Sequence, residues 1–488
     1  MQNRIKDTLK HSLIYSIGNL STKIIGLILL PLYTSKLSLL NYGKFTILEI
    51  TSLFMVMVFS LNIYSAMLRW CAEDENKNNQ KTIVFTAFST LVVIIAFLNL
   101  VLIPIRNSFS NLYFGTSEYS LYFLVLFLSV SFEIINGIPL NLLRLQEKSV
   151  KYIILVSARL ILVLGLNFYF LLIANIGILG IFLSQLIAHF MLFLVLIPLI
   201  IKNIKPQFDF TFFKEMVKYS SPLIFTTLTA MLLSMGDRFI IKYFLDYSKV
   251  GIYSLGYKIA GVINVFVIQS FTLSFLPIAY KMFEKPEAKK FYSKILTYFS
   301  LVLLFCALGL SLFSREFLEI ISKNKEFWFA YKIVPLLCLT FVFKGIQYVF
   351  SLGFHYVKKT KYNAYIVICG LIVNFSLNFI LVPKFGIWGA GVATVISSVF
   401  IAVVFYFYSQ KFYFIRYEIS KILKLIVFSI ALFCLSVFFK DLNLILRILS
   451  KIVILSALPV GLYFLKFFDR VELLKLREIW NSRLKSNS

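Results

Sequence analysis

Charge is scarce in this sequence, and chemistry that needs clustered polar residues is scarce with it. Of 488 residues only 15% are charged, His occurs three times and Cys five times. The histidines (His11, His189 and His355) lie far apart, and no H-E-x-x-H occurs, which removes a zinc-hydrolase reading. The cysteines (Cys71, Cys306, Cys338, Cys369 and Cys434) are scattered with no C-x-x-C. They read as small core hydrophobes and not as a disulfide frame or metal site. No D-x-D motif is present, and the connections on one side of the apolar segments are too short to hold a folded domain. Both absences argue against a glycan-transferring or glycan-polymerising membrane enzyme. Neither cofactor nor metal is expected. The first apolar run lacks a small-residue A-x-A-like end and is long enough to span a bilayer, so it is expected to stay in the mature protein.

What is abundant is apolar surface. Hydrophobic residues make up 60% of the chain, with 53 Phe and 27 Tyr, whereas a soluble domain holds about 45–50% apolar and about 25% charged residues. No water-soluble core absorbs that excess. The expectation is an all-α polytopic membrane protein. Spans of about 20 residues are read at 13–33, 44–68, 82–105, 118–140, 150–173, 176–201, 219–243, 253–280, 293–313, 328–350, 363–383, 386–408, 420–438 and 444–466. The runs are continuous and do not alternate, which argues against a barrel.

The formal charge of +27 would suggest nucleic acid in a soluble protein. Here it follows the loops, and no nucleic-acid partner is expected. With fourteen spans, 31 Lys and Arg fall in connections on the side of the termini and 9 on the other. The positive-inside rule then places both termini in the cytoplasm. A missed span would invert every later loop and destroy that bias.

The chain also repeats itself. Lys148-Ser-Val-Lys151-Tyr152 returns as Lys358-Lys-Thr-Lys361-Tyr362, and Leu166-Asn167-Phe168 returns as Leu377-Asn378-Phe379. Gly177-Ile178-Leu-Gly180 returns as Gly386-Ile387-Trp-Gly389, and Gly43 matches Gly251. Four matches in order at a nearly constant offset define two six-helix lobes, 1–206 and 207–412, followed by two additional helices and a basic tail, 413–488. Six is even, so the repeats are parallel and related by an axis along the membrane normal. Phe208–Tyr219 is read as an interfacial linker, and Pro222, Pro277 and Pro335 as helix kinks. Tyr253, Tyr257 and Tyr280 are read chiefly as lipid-facing belt residues.

Ionisable groups at membrane depth cost about 2.5–3.5 kcal/mol on insertion scales and mark sites. The candidates are Lys23, Glu49, Glu133, Arg159, Asp237, Arg238, Lys258 and Lys344. They fall on helices 1, 2, 4 and 5 of the first lobe and on the counterparts of 1, 2 and 4 in the second, as expected of helices lining one cavity. Lys23 and Arg159 lie mid-span, whereas Glu49, Asp237, Arg238 and Lys258 are within snorkelling reach of the outer surface. Asp237 and Arg238 are adjacent, so their side chains are expected to diverge on a helix and not to neutralise each other. Five cations against three anions leave +2, and Arg69 at the inner end of helix 2 makes it +3. A cationic hollow attracts an anion. A diphosphate fits, because Arg grips phosphate oxygens with two bonds and Lys adds a point charge. Arg447 and Lys451 are one turn apart on the last helix, and become loop charges if that helix starts later.

At this point the chain resembles the polysaccharide-biosynthesis (Wzx-type) oligosaccharide flippases of the multidrug/oligosaccharidyl-lipid/polysaccharide (MOP) exporter superfamily. The similar pieces are Tyr15-Ser-Ile-Gly-Asn-Leu with Leu30-Pro31-Leu-Tyr-Thr, Tyr42-Gly43, Arg69-Trp-Cys-Ala-Glu73, Asp237-Arg238-Phe-Ile, Val250-Gly251-Ile-Tyr-Ser-Leu-Gly256-Tyr-Lys258 and Pro383-Lys-Phe-Gly386-Ile-Trp-Gly-Ala. The resemblance implies a V-shaped, two-lobed fold in a bacterial cytoplasmic membrane. It also implies alternating-access transport of undecaprenyl-diphosphate-linked oligosaccharide, such as an O-antigen repeat unit, from the inner to the outer leaflet. Lys23, Arg69, Arg159, Arg238, Lys258 and Lys344 would hold the diphosphate, and Glu49, Glu133 and Asp237 would balance them or couple transport to H+ or Na+. The partners implied are the lipid-linked oligosaccharide, membrane lipid, and a polysaccharide polymerase with other glycan-assembly proteins. A small-molecule exporter of the same fold is the rival reading, and it would want an anionic or apolar cavity.

Overall fold

The computed structural model describes residues 26–359, 361–439, 441–465 and 467. It gathers the chain into two compact units. The first comprises Met1–Ser254, Ile321–Phe327 and Phe375–Ala390, the second Leu255–Ile320, Trp328–Asn374 and Gly391–Ser488. The repeat boundary after residue 206 is a division of the sequence, and these units are a division by contact; residues 207–254 gather with the first unit.

Helix follows helix throughout, with no strand among the described residues. In chain order they are α1 (26–36), α2 (Leu39–Phe59), α3 (Ile63–Ala72), α4 (Gln80–Leu102), α5 (Arg106–Phe114), α6 (Ser120–Leu145), α7 (Ser149–Phe168), α8 (Gly177–Asn203), α9 (Phe210–Met235) and α10 (Asp237–Phe244). Then come α11 (Tyr247–Ala260), α12 (Gln269–Met282), α13 (Ala288–Ile321), α14 (Val334–Phe350), α15 (Leu352–Tyr356), α16 (Lys361–Phe385), α17 (Ile387–Phe412), α18 (Ile419–Val437) and α19 (Leu444–Phe464). Thirteen described helical stretches are long and apolar enough to cross a bilayer. They match the second to fourteenth spans read from hydropathy, and the 13–25 part of the first lies outside the described residues. The protein is therefore a multi-pass membrane protein.

Several spans depart from continuous helices, and in three of them the reason is local. The second breaks between α2 and α3, where Leu61 and Asn62 take left-handed φ of 47° and 49°. The eighth carries a π-turn, Ile263–Ile268, between α11 and α12, close to the repeat position of that first break. The seventh breaks at Gly236, directly before Asp237. Such interruptions free backbone groups at membrane depth and recur where transporters build sites. The segment read as an interfacial linker is instead the start of α9. Asp209 caps that helix by accepting from the Thr211 and Phe212 amides, and the 3.6-residue pattern then carries it without interruption to Met235. Pro335 occupies the first turn of α14, where its missing N–H is no loss, so the expected kink there does not arise.

The glycine repeat has a geometric cause. Gly177 and Gly386 take φ of 59° and 58°, the first opening α8 and the second directly preceding α17. Both halves of the sequence use the same left-handed turn. Gly43 serves close approach. A Cβ placed on it would collide with the Tyr247 carbonyl oxygen and lie 3.2 Å from the Gly251 nitrogen. The two glycines paired by the repeat thus touch across the crossing of α2 and α11. Gly43→Ala is expected to destabilise the fold by about 1–3 kcal/mol through overpacking, seen as a lowered midpoint of thermal unfolding in detergent. Gly26→Ala, where nothing among the described residues lies within 4 Å, is the matched control, and equal midpoints for the two variants would refute the close contact.

Candidate functional site

The helices α6, α7 and α8 pack on one another in the first unit. Tyr152, Val156 and Leu160 recur every four residues on α7, and they meet Leu143 of α6 and Leu192 and Leu196 of α8 in one buried cluster. In lipid this contact is held by van der Waals packing and not by water exclusion. Farther along these faces the lining turns polar. Arg159 of α7 places Nη1 3.3 Å from Nε2 of His189 on α8. The same Nε2 lies 3.7 Å from Oε2 of Glu133 on α6. The Asn136 side-chain amide donates to the His189 carbonyl at 2.8 Å, which ties the α6 face to α8 at this level.

The geometry sets the chemistry. A neutral imidazole accepts the Arg159 N–H at Nε2, and an Nε2 that carries a proton turns to Glu133. One ring nitrogen therefore serves two opposite partners. Arg159 forms no ion pair among the described residues, and its Nε and the His189 Nδ1 are buried with no hydrogen-bond partner. Glu133 keeps 36% of its side-chain surface open, although α6 packs against α2, α3, α4, α5, α7 and α8.

Asp237 and Arg238 correct an expectation. Arg238 Nη1 donates to Asp237 Oδ1 at 2.6 Å and to the Ser234 carbonyl at 2.5 Å. The Tyr253 hydroxyl donates to Asp237 Oδ2 at 2.5 Å, and both charged residues are fully buried. Adjacent residues on an unbroken helix point apart, but the break at Gly236 and the length of the Arg stem let its guanidinium fold back across the turn. The pair neutralises itself, and Arg238 is not an uncompensated cation. Tyr253, read as a belt residue, is buried because it closes this group.

Arg69, in the last turn of α3, lies 3.5 Å from Glu73 with about half of each side chain exposed. Its guanidinium sits 4.7 Å from the Tyr219 ring centroid and 5.6 Å from that of Trp70, and the Trp70 indole donates to Glu215 at 2.9 Å. It is a surface cation in an aromatic cradle. Glu49 is half-buried on α2. In the second unit Lys258 on α11 and Lys344 on α14 are half-buried. The Lys344 ammonium is 6.0 Å from the Phe341 ring centroid, and the Tyr257 ring, next to Lys258, packs 5.2 Å from that same ring. Lys23 lies outside the described residues. The Asp237–Arg238 closure removes one charge of each sign, so the cationic excess counted from the sequence is unchanged.

The sequence reading placed Arg447 and Lys451 on the last helix and missed their partners. Arg447 and Lys451 are buried within α19 and are not loop charges. They meet Glu316 and Glu319, which belong to α13 because that helix runs to Ile321. A hydropathy window stops near residue 313 and leaves these carboxylates in a loop. Among the described residues no cluster of His, Cys, Asp and Glu has the arrangement to hold a metal ion.

The polysaccharide biosynthesis protein family model matches residues 8–283, and the MatE family model matches 222–380. An uncharacterized membrane protein of Methanocaldococcus jannaschii is 24% identical over 359 residues, 70% of this chain and 83% of that one. The probable low-salt glycan biosynthesis flippase Agl15 of Haloferax volcanii is 24% identical over 45% of this chain and 46% of its own. The capsular polysaccharide biosynthesis protein CapF of Staphylococcus aureus is 29% identical over 41% and 50%. Among solved structures, the lipid II flippase MurJ in an inward closed conformation superposes with a TM-score of 0.76 at 18% identity, covering 92% of this chain and 99% of that one. An inward-facing multidrug resistance MATE transporter of the MOP superfamily gives 0.66 at 13% identity, covering 82% and 96%. At these identities the structural likeness is one of fold, and the fold is that of the MOP exporters.

Proposed function

We propose, from the premise that this chain belongs to the polysaccharide biosynthesis protein family, that it is a flippase which carries a lipid-linked oligosaccharide from the inner to the outer leaflet of a bacterial cytoplasmic membrane. One observation carries the reading: Arg159, in the middle of α7, contacts the His189 imidazole and no carboxylate among the described residues. A guanidinium held at that depth with no carboxylate in contact, Glu133 standing beyond the imidazole, is incompletely compensated, and an anion that arrives with its own charge relieves the cost. The diphosphate of a polyprenyl-linked sugar supplies two such charges beside an apolar tail that remains in lipid. Lys23 and Arg69 would share the diphosphate with Arg159. Arg238, closed by Asp237, would shape the wall and not grip substrate.

Glu133 and His189 suit ion coupling. Protonation of the imidazole would release Arg159 toward the anion and turn the ring to Glu133, so proton entry and substrate grip would alternate at one nitrogen. Glu49 would balance the remaining cations. The chain itself would break no bond, consistent with a transporter and not an enzyme.

Neutralising the two mid-span cations together, Lys23→Gln with Arg159→Gln, is expected to slow flipping of polyprenyl-diphosphate oligosaccharide in proteoliposomes at least 100-fold, about 2.7 kcal/mol of lost stabilisation. Lys23→Arg with Arg159→Lys should restore most of it. Wild-type flipping by the double Gln variant would end this site assignment. A second reading is favoured by the MatE match over residues 222–380: a small-molecule exporter of the same fold. Uptake of an organic cation by the same vesicles, with no flipping of the glycan lipid, would select it.

A further inference from the structure

A second charged hollow lies apart from the residues assigned above. Within the second unit, α13, α14, α18 and α19 border a cavity of about 140 Å³. Four cations, Arg315, Lys332, Arg447 and Lys451, line it, with the Ser311, Ser436 and Tyr331 hydroxyls beside them. Arg447 and Lys451 are 6% and 7% exposed. Their carboxylates stand outside the lining. Glu316 accepts from Arg447 Nε at 2.6 Å and from Lys451 Nζ at 2.7 Å, and Glu319 accepts from Arg447 Nη2 at 3.0 Å and from Arg315 Nε at 2.8 Å. Lys332 has no carboxylate partner among the described residues, and its ammonium sits 4.8 Å from the Phe329 ring centroid.

Among the described residues three of these cations thus share two carboxylates, and Lys332 pairs with neither. A clamp that only fastened helices would balance its charges and fill its space; this one leaves Lys332 in excess beside a void. Surplus charge beside a void is stabilised by an anion. Arg offers paired donors to phosphate oxygens, and Lys and hydroxyl groups complete a phosphate's acceptors. The void has room for several waters, which suits one phosphate group and is too small for an oligosaccharide. Leu312, Pro335, Phe433 and Val437 supply an apolar part of the wall, and the nearby Ile320 and Phe438 are more than four-fifths exposed, a surface for acyl chains. In the orientation that the Lys and Arg bias implies, this end faces the outer leaflet.

We propose that this cavity binds the phosphate of an anionic membrane lipid in the outer leaflet, at a site separate from the transported substrate. The inference does not depend on what the chain transports.

The test is native mass spectrometry of the full chain in detergent, incubated with phosphatidylglycerol, with phosphatidylcholine or with inorganic phosphate. Phosphatidylglycerol adducts should survive at collision energies that strip phosphatidylcholine. Ser436→Leu, which fills the void and leaves every charge in place, and Lys332→Gln, which touches none of the ion pairs, should each reduce phosphatidylglycerol retention at least fivefold. Both variants are checked for an unchanged thermal midpoint, and because they act by different means a folding defect in one leaves the other to decide. Equal retention of the two lipids, retention of inorganic phosphate alone, or adducts unaffected in a folded variant would overturn the proposal.

Discussion

Asp237→Ala is expected to destabilise the protein by about 3–5 kcal/mol, the cost of leaving a buried charge without its partner. Asp237 is 1% and Arg238 3% exposed, so no water replaces the lost carboxylate. The Tyr253 hydroxyl loses its acceptor at the same time. Arg238 would keep the Ser234 carbonyl but no charge to answer its own. The companion variant removes the whole group: Asp237→Leu, Arg238→Met and Tyr253→Phe together. Replacing a buried ion pair by apolar side chains of similar volume is often neutral or stabilising, so the triple variant should regain most of the loss. Unfolding in a denaturing detergent, followed by Trp fluorescence, gives both values. A loss under about 1 kcal/mol for Asp237→Ala would place the pair in water, since exposed pairs contribute about that much. The triple variant also separates roles. If Arg238 shapes the wall, flipping returns with stability; if it grips substrate, the triple variant folds and does not transport.

That ambiguity marks where sequence reading stops. Hydropathy reports the preference of each segment for lipid over water, so it located the thirteen described spans to within a few residues at most ends. The repeat was legible because a left-handed turn needs glycine: Gly177 and Gly386 carry nearly the same φ, and the motif around them survives in both halves. Gly43 and Gly251 matched in the alignment of the halves, and the structure brings them into contact. Depth in the membrane was also readable, which is why Arg159 and Glu133 stood out. Partners were not. His189 was visible as a residue of the sixth span, but its place between Arg159 and Glu133 depends on how α6, α7 and α8 rotate against one another. The Asp237–Arg238 pair escaped because the rule for adjacent residues assumes a regular helix, and Gly236 ends one there. Glu316 escaped because charge at a helix end looks like a loop until the helix is seen to continue, and its partner stands 131 residues away.

The C-terminal pair of helices shows what such a distant partner does. At its start, Glu418 accepts from Thr297 at 2.9 Å and pairs with Lys294 at 3.1 Å, tying the beginning of α18 to the first turns of α13. Near the other end of α13, Glu316 and Glu319 hold Arg447 and Lys451 of α19. One helix is thus pinned to the hairpin of α18 and α19 at both ends by charge, while apolar side chains fill between. Because lipid offers apolar contact as good as a helix does, the polar pins give this hairpin its fixed place. Glu316→Ala removes the acceptor of three hydrogen bonds and leaves Lys451 buried with no carboxylate of its own. The expected loss is about 3–5 kcal/mol, similar in size to that of Asp237→Ala but different in extent. Hydrogen exchange should rise along α19 and the last turns of α13 and stay unchanged in α6 to α8, which belong to the other compact unit. Restoring neutrality with Glu316→Leu, Arg447→Met and Lys451→Leu should return the exchange of α19 toward wild type. Protection of α19 that survives Glu316→Ala would mean that packing alone seats the hairpin, and the charges at its end would then be without structural purpose.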